Sequence, residues 1–387
     1  MALIRDRALS SGDADAVSFA EARTLFLGSL AGRAERTQRT YATALDRLAD
    51  FLGERAISQD APTRSLPRDH GAHPGHRIEW WYITGWLERD AAAAVGFQLT
   101  FFRVRQPAHD ANPSRFAPRQ LLFAHAAVSD PARGRLLHAQ KIARAGFGLA
   151  EASADDLDVR IDDWHLARQP APERLLAHIA ADDFDYTLTF APTQPVLWQG
   201  EQGFSRKGPD PAHASHYLSW PQLEVSGRLR IAATTSAVRG RAWLDHEWSS
   251  ALMPEGAQGW DWLGINLDDG GALMAFRMRD ADGHALWAAA TLRDAAGDRR
   301  YAPTEVGFAV RRVWRSPRSG GAYPVELEVT VGGRRFGLKP LFDDQELDSR
   351  ASSGAIYWEG AVTVFEGARR VGRGYLELTG YAAALKI

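Results

Sequence analysis

Cysteine is absent from the 387 residues. That excludes disulfides, thiolate metal sites and cysteine nucleophiles outright. No stretch approaches the ~18–20 consecutive apolar residues of a transmembrane helix. Charge of one sign is missing too, with 46 Lys and Arg against 48 Asp and Glu. A net charge of −2 makes no electrostatic case for a nucleic-acid or membrane surface over the whole chain. Met1–Val17 carries charges where an export signal needs an apolar centre, so the chain as written is expected to stay in the cytoplasm. No G-x-S-x-G is present, which removes the nucleophile elbow of a serine hydrolase. Aromatic residues are abundant, with 13 Trp, 17 Phe and 9 Tyr beside 35 Gly. That balance suits a β protein with aromatic interiors better than a helix bundle.

Residues 18–53 differ in kind from the rest. Tyr41, Ala44, Leu45, Leu48, Phe51 and Leu52 recur at helical spacing, with Thr37 placed to cap and Gly53 to stop. A proline-broken polar linker follows, and the periodicity then changes to two. Short alternating runs from Ile78 to Tyr381, separated by turn signals such as SDPARG, predict many antiparallel strands in sandwiches or barrels. The expected division is a helical segment over 1–60 and two β domains over 61–235 and 236–387, with the break near Ala232–Gly240.

The chemistry-bearing residues concentrate in Arg241–Leu263, where Asp245, His246, Glu247 and Asp261 lie among Trp243, Trp248, Trp260 and Trp262. Buried among rings, such acids and imidazoles acquire shifted pKa values, and indole faces stabilise a cation formed beside them. Glu79 with Trp80, Trp81 and Tyr82 forms a second candidate group, which also reads as a strand-end acid paired with Arg77 or Arg103. Tyr217, and Tyr357, Trp358 and Glu359 in a later strand, complete the set. His73 and His76, or His213 and His216, have the spacing of metal ligands but lie in loop-like sequence, so no metal is expected. No nucleotide motif appears and no cofactor is expected. His165 and Arg168 match a bare H-x-x-R by chance.

Two resemblances follow from these residues. FLGSLAGRAERTQRTYATALDRLADFLGER is similar to the start of the core-binding domain of tyrosine recombinases (phage integrases), carried by Thr37, Thr40, Tyr41, Leu45, Phe51 and Leu52. Arg33, Arg36 and Arg39 would there touch phosphates. The recombinase catalytic domain is missing, so DNA is not the expected partner. RDHGAHPGHRIEWWYITGWL, HYLSWPQLEVSG, GRAWLDHEWSS, GWDWLGINLDDG and LDSRASSGAIYWEGAVTV together resemble the carotenoid 1,2-hydratase and AttH-like family. The resemblance covers about Pro67 to Ile387 and implies two tandem lipocalin-like antiparallel barrels. Relatives usually begin with an export signal, whereas this chain begins with the recombinase-like stretch and so looks chimeric. Many also carry Gly where Ser249 stands.

The resemblance implies three functions. The first is acid-catalysed addition of water to a C=C bond of an apolar isoprenoid, with Asp261 as acid, His246 placing the water, and Trp248, Tyr357 and neighbouring rings stabilising the cation. The second is a carrier of an apolar ligand or lipid that serves a membrane transporter. The third is a pericyclase or isomerase scaffold.

Overall fold

The structure is a computed structural model and describes residues 65–90 and 92–385. The expected helices over 18–53 and the recombinase-like stretch lie outside these residues. No α-helix occurs among the described residues; strands and three 3-10 turns make up the regular structure.

The first sheet runs through β1 (Ile78–Arg89), β2 (Ala92–Arg105), β3 (Gln120–Ser129), β4 (Leu137–Arg144), β5 (Ala150–Ala152), β6 (Asp158–Ile161), β7 (Trp164–Pro170), β8 (Glu173–Ala180) and β9 (Phe184–Ala191). It is completed by the short β10 (Leu197–Trp198) and β11 (Phe204–Arg206), then the long pair β12 (Ala214–Ile231) and β13 (Thr234–Ala251). Its order is β4-β3-β2-β1-β13-β12-β9-β8-β7-β6-β5, all antiparallel. The two ends of that path come back together. A Gly146–Ala150 bridge joins the turn between β4 and β5, and Lys141 of β4 pairs with Asp162 and Asp163 beyond β6. This near-closure encloses Ile83, Phe97, Leu99, Phe101, Leu188, Leu218 and Leu244, which alternation points inward.

The second sheet comprises β14 (Gly259–Leu267), β15 (Ala272–Arg279), β16 (Ala285–Asp294), β17 (Gly297–Tyr301), β18 (Val306–Arg315), β19 (Ala322–Val331), β20 (Arg334–Pro340), β21 (Glu346–Ser349), β22 (Ala355–Glu366) and β23 (Arg369–Leu378). Its order is β17-β16-β15-β14-β23-β22-β20-β19-β18, with β21 on β22. Leu263, Ile265, Leu327, Phe336, Trp358 and Leu376 fill its own core. Two large antiparallel sheets with separate cores are the mainly β architecture that the periodicity predicts, and the lipocalin-like barrels that the resemblance implies fit them.

The sheets divide at 252–258, not at 232–240. Ala232 and Ala233 form the tip of the β12–β13 hairpin, and β13 belongs wholly to the first sheet. An exposed polar hairpin tip carries the same residue types as a linker, which is why the sequence places the break there. The described residues form one compact unit. A third apolar cluster joins the sheets, with Tyr82, Trp86, Tyr217 and Trp243 from the first against Trp262, Met274, Phe276 and Tyr375 from the second. Close approach demands glycine there: a Cβ on Gly96 would lie 2.5 Å from the Tyr375 hydroxyl and 2.6 Å from the Ala361 Cβ. Polar ties reinforce the contact. Trp86 Nε1 donates to the Gly374 carbonyl at 3.1 Å, and Asn266 accepts from the Gln222 amide at 2.7 Å while donating to Ala242 at 3.0 Å. His165 and Arg168, the chance H-x-x-R pair, are paired along β7 with Asp158 and Asp156.

Candidate functional site

Strand parity decides where the candidate residues go. β1 and β13 pair with Glu79 opposite Trp248, Trp80 opposite Glu247, Trp81 opposite His246 and Tyr82 opposite Asp245. Cross-strand partners share a face, so one stretch of sequence is divided between two sides of the sheet. Glu79, Trp81, His246 and Trp248 turn into the first sheet. Trp80, Tyr82, Trp243, Asp245 and Glu247 turn toward the second. Asp261 and Trp358 belong to neither group, because Asp261 shares parity with Leu263 and Ile265, and Trp358 with Val362 and Val364, which point into the core of the second sheet.

The space between the sheets holds most of the ionisable candidates. Asp245 is fully enclosed and accepts hydrogen bonds from Tyr217 Oη at 2.6 Å, Ser219 Oγ at 2.5 Å and Trp243 Nε1 at 2.7 Å. Burial pushes its pKa up to about 7 against the pull of those three donors. Tyr217 Oη in turn accepts from Trp262 Nε1 at 2.9 Å, so a chain of polar contacts crosses from one sheet to the other. Glu247 is held by Lys207 Nζ at 2.8 Å and by the Ser215 hydroxyl. The Lys207 ammonium also lies over the rings of Phe276 and Tyr217, 4.2 and 4.7 Å from their centroids. Such stacking keeps a buried cation in place.

From the second sheet, Glu359 and Glu377 face this space as direct cross-strand partners on β22 and β23. Among the described residues neither is in an ion pair. Burial and the Glu377 carboxyl raise Glu359 well above the usual carboxylate range, against the nearby phenols of Tyr82 and Tyr357. Burial raises Glu377 to about 8, and the charges of Asp245 and Glu247 add to that, while a hydrogen bond from Trp260 Nε1 at 3.0 Å opposes it. Two carboxyls so placed cannot both ionise cheaply, so protons are retained at neutral pH. Tyr357 bonds across to His125 Nδ1 at 2.8 Å, and burial lowers His125 to about 3, keeping that imidazole neutral. Six polar atoms on these facing surfaces are buried without a well-formed hydrogen bond, although Tyr82 neighbours Glu359 and Ser129 neighbours Tyr375: Tyr82 Oη, Thr84 Oγ1, Gln98 Oε1, Ser129 Oγ, Glu359 Oε1 and Tyr375 Oη. Buried polar groups find partners, so this concentration marks a place that water or a ligand completes.

The interior group of the first sheet is built differently. Glu79 Oε2 accepts from Arg103 Nε at 2.7 Å and from the His73 amide at 2.8 Å, and its Oε1 lies 2.9 Å from His246 Nε2 and 2.7 Å from His73 Nδ1. Trp81 stacks on His246, and Trp248 on His73. The expected Glu79–Arg103 pairing is present, and His73, expected in a loop, joins it.

Asp261, expected to be the proton donor, has both oxygens taken. Arg277 Nε donates at 2.6 Å, Arg279 Nε at 2.9 Å and Tyr381 Oη at 2.9 Å. Two guanidiniums neutralise it and a phenol adds a third donor, so it is engaged in a buried ion-pair network. Its flanking Trp260 and Trp262 point the other way, toward the space between the sheets. Ser249 lies within β13, and its hydroxyl donates to the Ala214 carbonyl at 2.6 Å.

Sequence reasoning missed Glu377, Lys207, Ser219 and His125. For Glu377 a signal existed: in Gly372–Tyr381 alternation puts Tyr375 and Glu377 on one face, and an acid there needs a reason. Lys207 sits in what reads as a polar loop, and only the third dimension brings it beneath Phe276.

The AttH-like family profile matches residues 58–381. The chain belongs to the AttH-like family. Among solved structures, a protein described as AttH from Nitrosomonas europaea is 50% identical, with a TM-score of 0.78, over 83% of this chain and 98% of that one. Kievitone hydratase from Nectria haematococca shares the fold at 15% identity, with a TM-score of 0.63, over 84% of this chain and 95% of that one. None of the curated proteins matches the sequence. In this AttH-like chain the inter-sheet space, with its buried acids and unpartnered polar atoms, is the candidate site.

Proposed function

We propose that this AttH-like protein binds an apolar, unsaturated isoprenoid-like molecule between its two sheets and adds water across a C=C bond. The observation that carries the reading is the pair Glu359 and Glu377, buried side by side without a cation and facing the apolar cluster of Tyr82, Trp260, Trp262, Met274 and Phe276. A neutral carboxylic acid at pH 7 is what protonation of carbon requires. The Glu377 proton passes to one alkene carbon, and the positive charge appears on the other, beside indole and phenol faces that stabilise it. Water attacks that carbon, forming a C–O bond and leaving a proton to be removed. Asp245, whose three donors support its ionised form, takes that proton. The sum is alkene plus water giving alcohol, and Asp245 releases its proton to solvent while solvent returns one to Glu377. The Nectria hydratase lends only the fold; the reaction is argued from the buried acids.

Chromatography of an acyclic polyene such as lycopene after incubation with the protein tests this. The parent forms a hydrated product, and Glu377→Gln binds the polyene, seen by tryptophan quenching, but forms none. A parent that binds the polyene and never hydrates it would make the protein a carrier. A Glu377→Gln variant of unchanged turnover would remove Glu377 from the chemistry.

A further inference from the structure

On the opposite face of β1 and β13, inside the first sheet, three side chains converge on a single point. His73 Nδ1 and His246 Nε2 lie 2.7 and 2.9 Å from the same oxygen, Glu79 Oε1. The three donor atoms are all within 4.8 Å of one another.

Hydrogen-bond accounting shows what this point lacks. His246 Nδ1 is 3.0 Å from the Asp69 backbone carbonyl, which can only accept, so Nδ1 carries a hydrogen. In the neutral ring Nε2 then presents a lone pair, aimed at a carboxyl oxygen that also presents lone pairs. Something positive belongs between them. His73 Nδ1 is aimed at the same oxygen, and a metal ion is the one positive centre that two imidazoles and a carboxylate can share.

The surroundings are those of a ligand set with its supports already in place. Glu79 Oε2 is held by Arg103 Nε, and the His73 amide lies 2.8 Å from Oε2 and 3.1 Å from Oε1, which together orient the carboxyl with Oε1 toward the two imidazoles. The His246 tautomer that frees Nε2 is set by the Asp69 carbonyl, and His73 Nε2 lies 3.5 Å from Asp69 Oδ1. Outer partners of this kind fix tautomer and ring orientation at metal sites. Indoles hold the ring planes: Trp248 lies parallel to His73 at 3.8 Å between centroids, and Trp81 stacks on His246 at 4.8 Å. Glu79 and His246 are buried, while the His73 side chain is 11% exposed, which gives an ion a way in.

From this geometry we infer that His73, Glu79 and His246 bind a divalent transition-metal ion. Two imidazoles and one carboxylate suit zinc, cobalt or iron rather than calcium or magnesium, which prefer oxygen ligands. Three protein ligands would leave a fourth position for water. The site adjoins the acid cluster through the backbone only, since Glu79 precedes Trp80 and His246 follows Asp245. It ties the Asp69–His76 segment to β1 and β13, and it stands whether or not the hydration chemistry above is correct.

Metal content is the direct readout. The full chain is stripped with chelator, dialysed against Co²⁺ and then Zn²⁺, and analysed by elemental analysis and visible absorption. The expected result is close to one ion per chain, with the cobalt bands of a nitrogen–oxygen site, and a higher thermal midpoint for the loaded protein. His73→Gln, chosen because the residue is partly exposed, loses the ion and the bands while keeping the circular dichroism of the parent. Asp280→Asn, in the exposed Asp280, Asp282 and His284 group, leaves both unchanged and so identifies the site. Trace metal in the parent, or cobalt bands that survive in His73→Gln, would overturn the assignment.

Discussion

Asp261→Asn separates a structural acid from a catalytic one. Asp261 is completely buried and joins Arg277, 2.6 Å away, and Arg279, 2.9 Å away, whose side chains are 12% and 4% exposed. Asparagine keeps one acceptor oxygen but turns an N–H donor toward the other guanidinium, and the negative charge is gone. Arg279 is locked in place by the Thr379 carbonyl and by the Tyr381 ring beneath it, 3.8 Å from its centroid, so it cannot swing out to water. Removing one partner of a buried ion pair costs about 3–5 kcal/mol because a charge is left uncompensated. At roughly 2 °C per kcal/mol for a chain of this size, the thermal midpoint falls by about 6–10 °C. Urea unfolding followed by tryptophan fluorescence measures the loss, and product formation is measured in parallel below the transition. Turnover per folded molecule is expected to remain. Asp261→Asn/Arg277→Met, which withdraws a guanidinium together with the carboxylate, recovers part of the stability. The reasoning fails if Asp261→Asn stays within about 1 kcal/mol of the parent and yet loses all turnover, because Asp261 would then be the acid after all.

Glu377→Gln carries a pH signature. With its pKa raised from the ordinary 4.5 to about 8, Glu377 holds a proton in the folded chain that the unfolded chain releases between those values, so folding stability falls as pH rises through that window. The variant lacks this component and its urea midpoint declines less steeply from pH 5 to 8; parallel profiles would show that Glu377 is not protonated in the folded state. Gly264→Ala would place a Cβ 2.5 Å from the Trp262 ring and 3.1 Å from that of Trp243. Those indoles must move, breaking the Trp262–Tyr217–Asp245 chain, so polyene affinity drops at least tenfold and tryptophan emission shifts. An unchanged spectrum and affinity would place the ligand elsewhere.

Much of the architecture was legible in the chain. Alternation over Ile78–Tyr82, Phe97–Phe101 and Tyr186–Phe190 is a local property, set by residues two apart, and it requires strands whatever the rest of the chain does. The AttH-like motifs likewise lie in the sequence as written. The same alternation announces that Asp245 and His246 part company, and that Trp260 and Trp262 point away from Asp261. What alternation cannot say is what each face meets. Asp245 faces Tyr217, Ser219 and Trp262, while His246 faces Glu79 and Asp69, 167 and 177 residues back in the chain. The ions that neutralise Asp261 come from the next strand, and its phenol comes from a position 120 residues on. A carboxyl's chemistry depends on the charges and donors within a few ångströms of it. Which groups those are was decided only when one sheet nearly closed on itself and the second packed against its outer face.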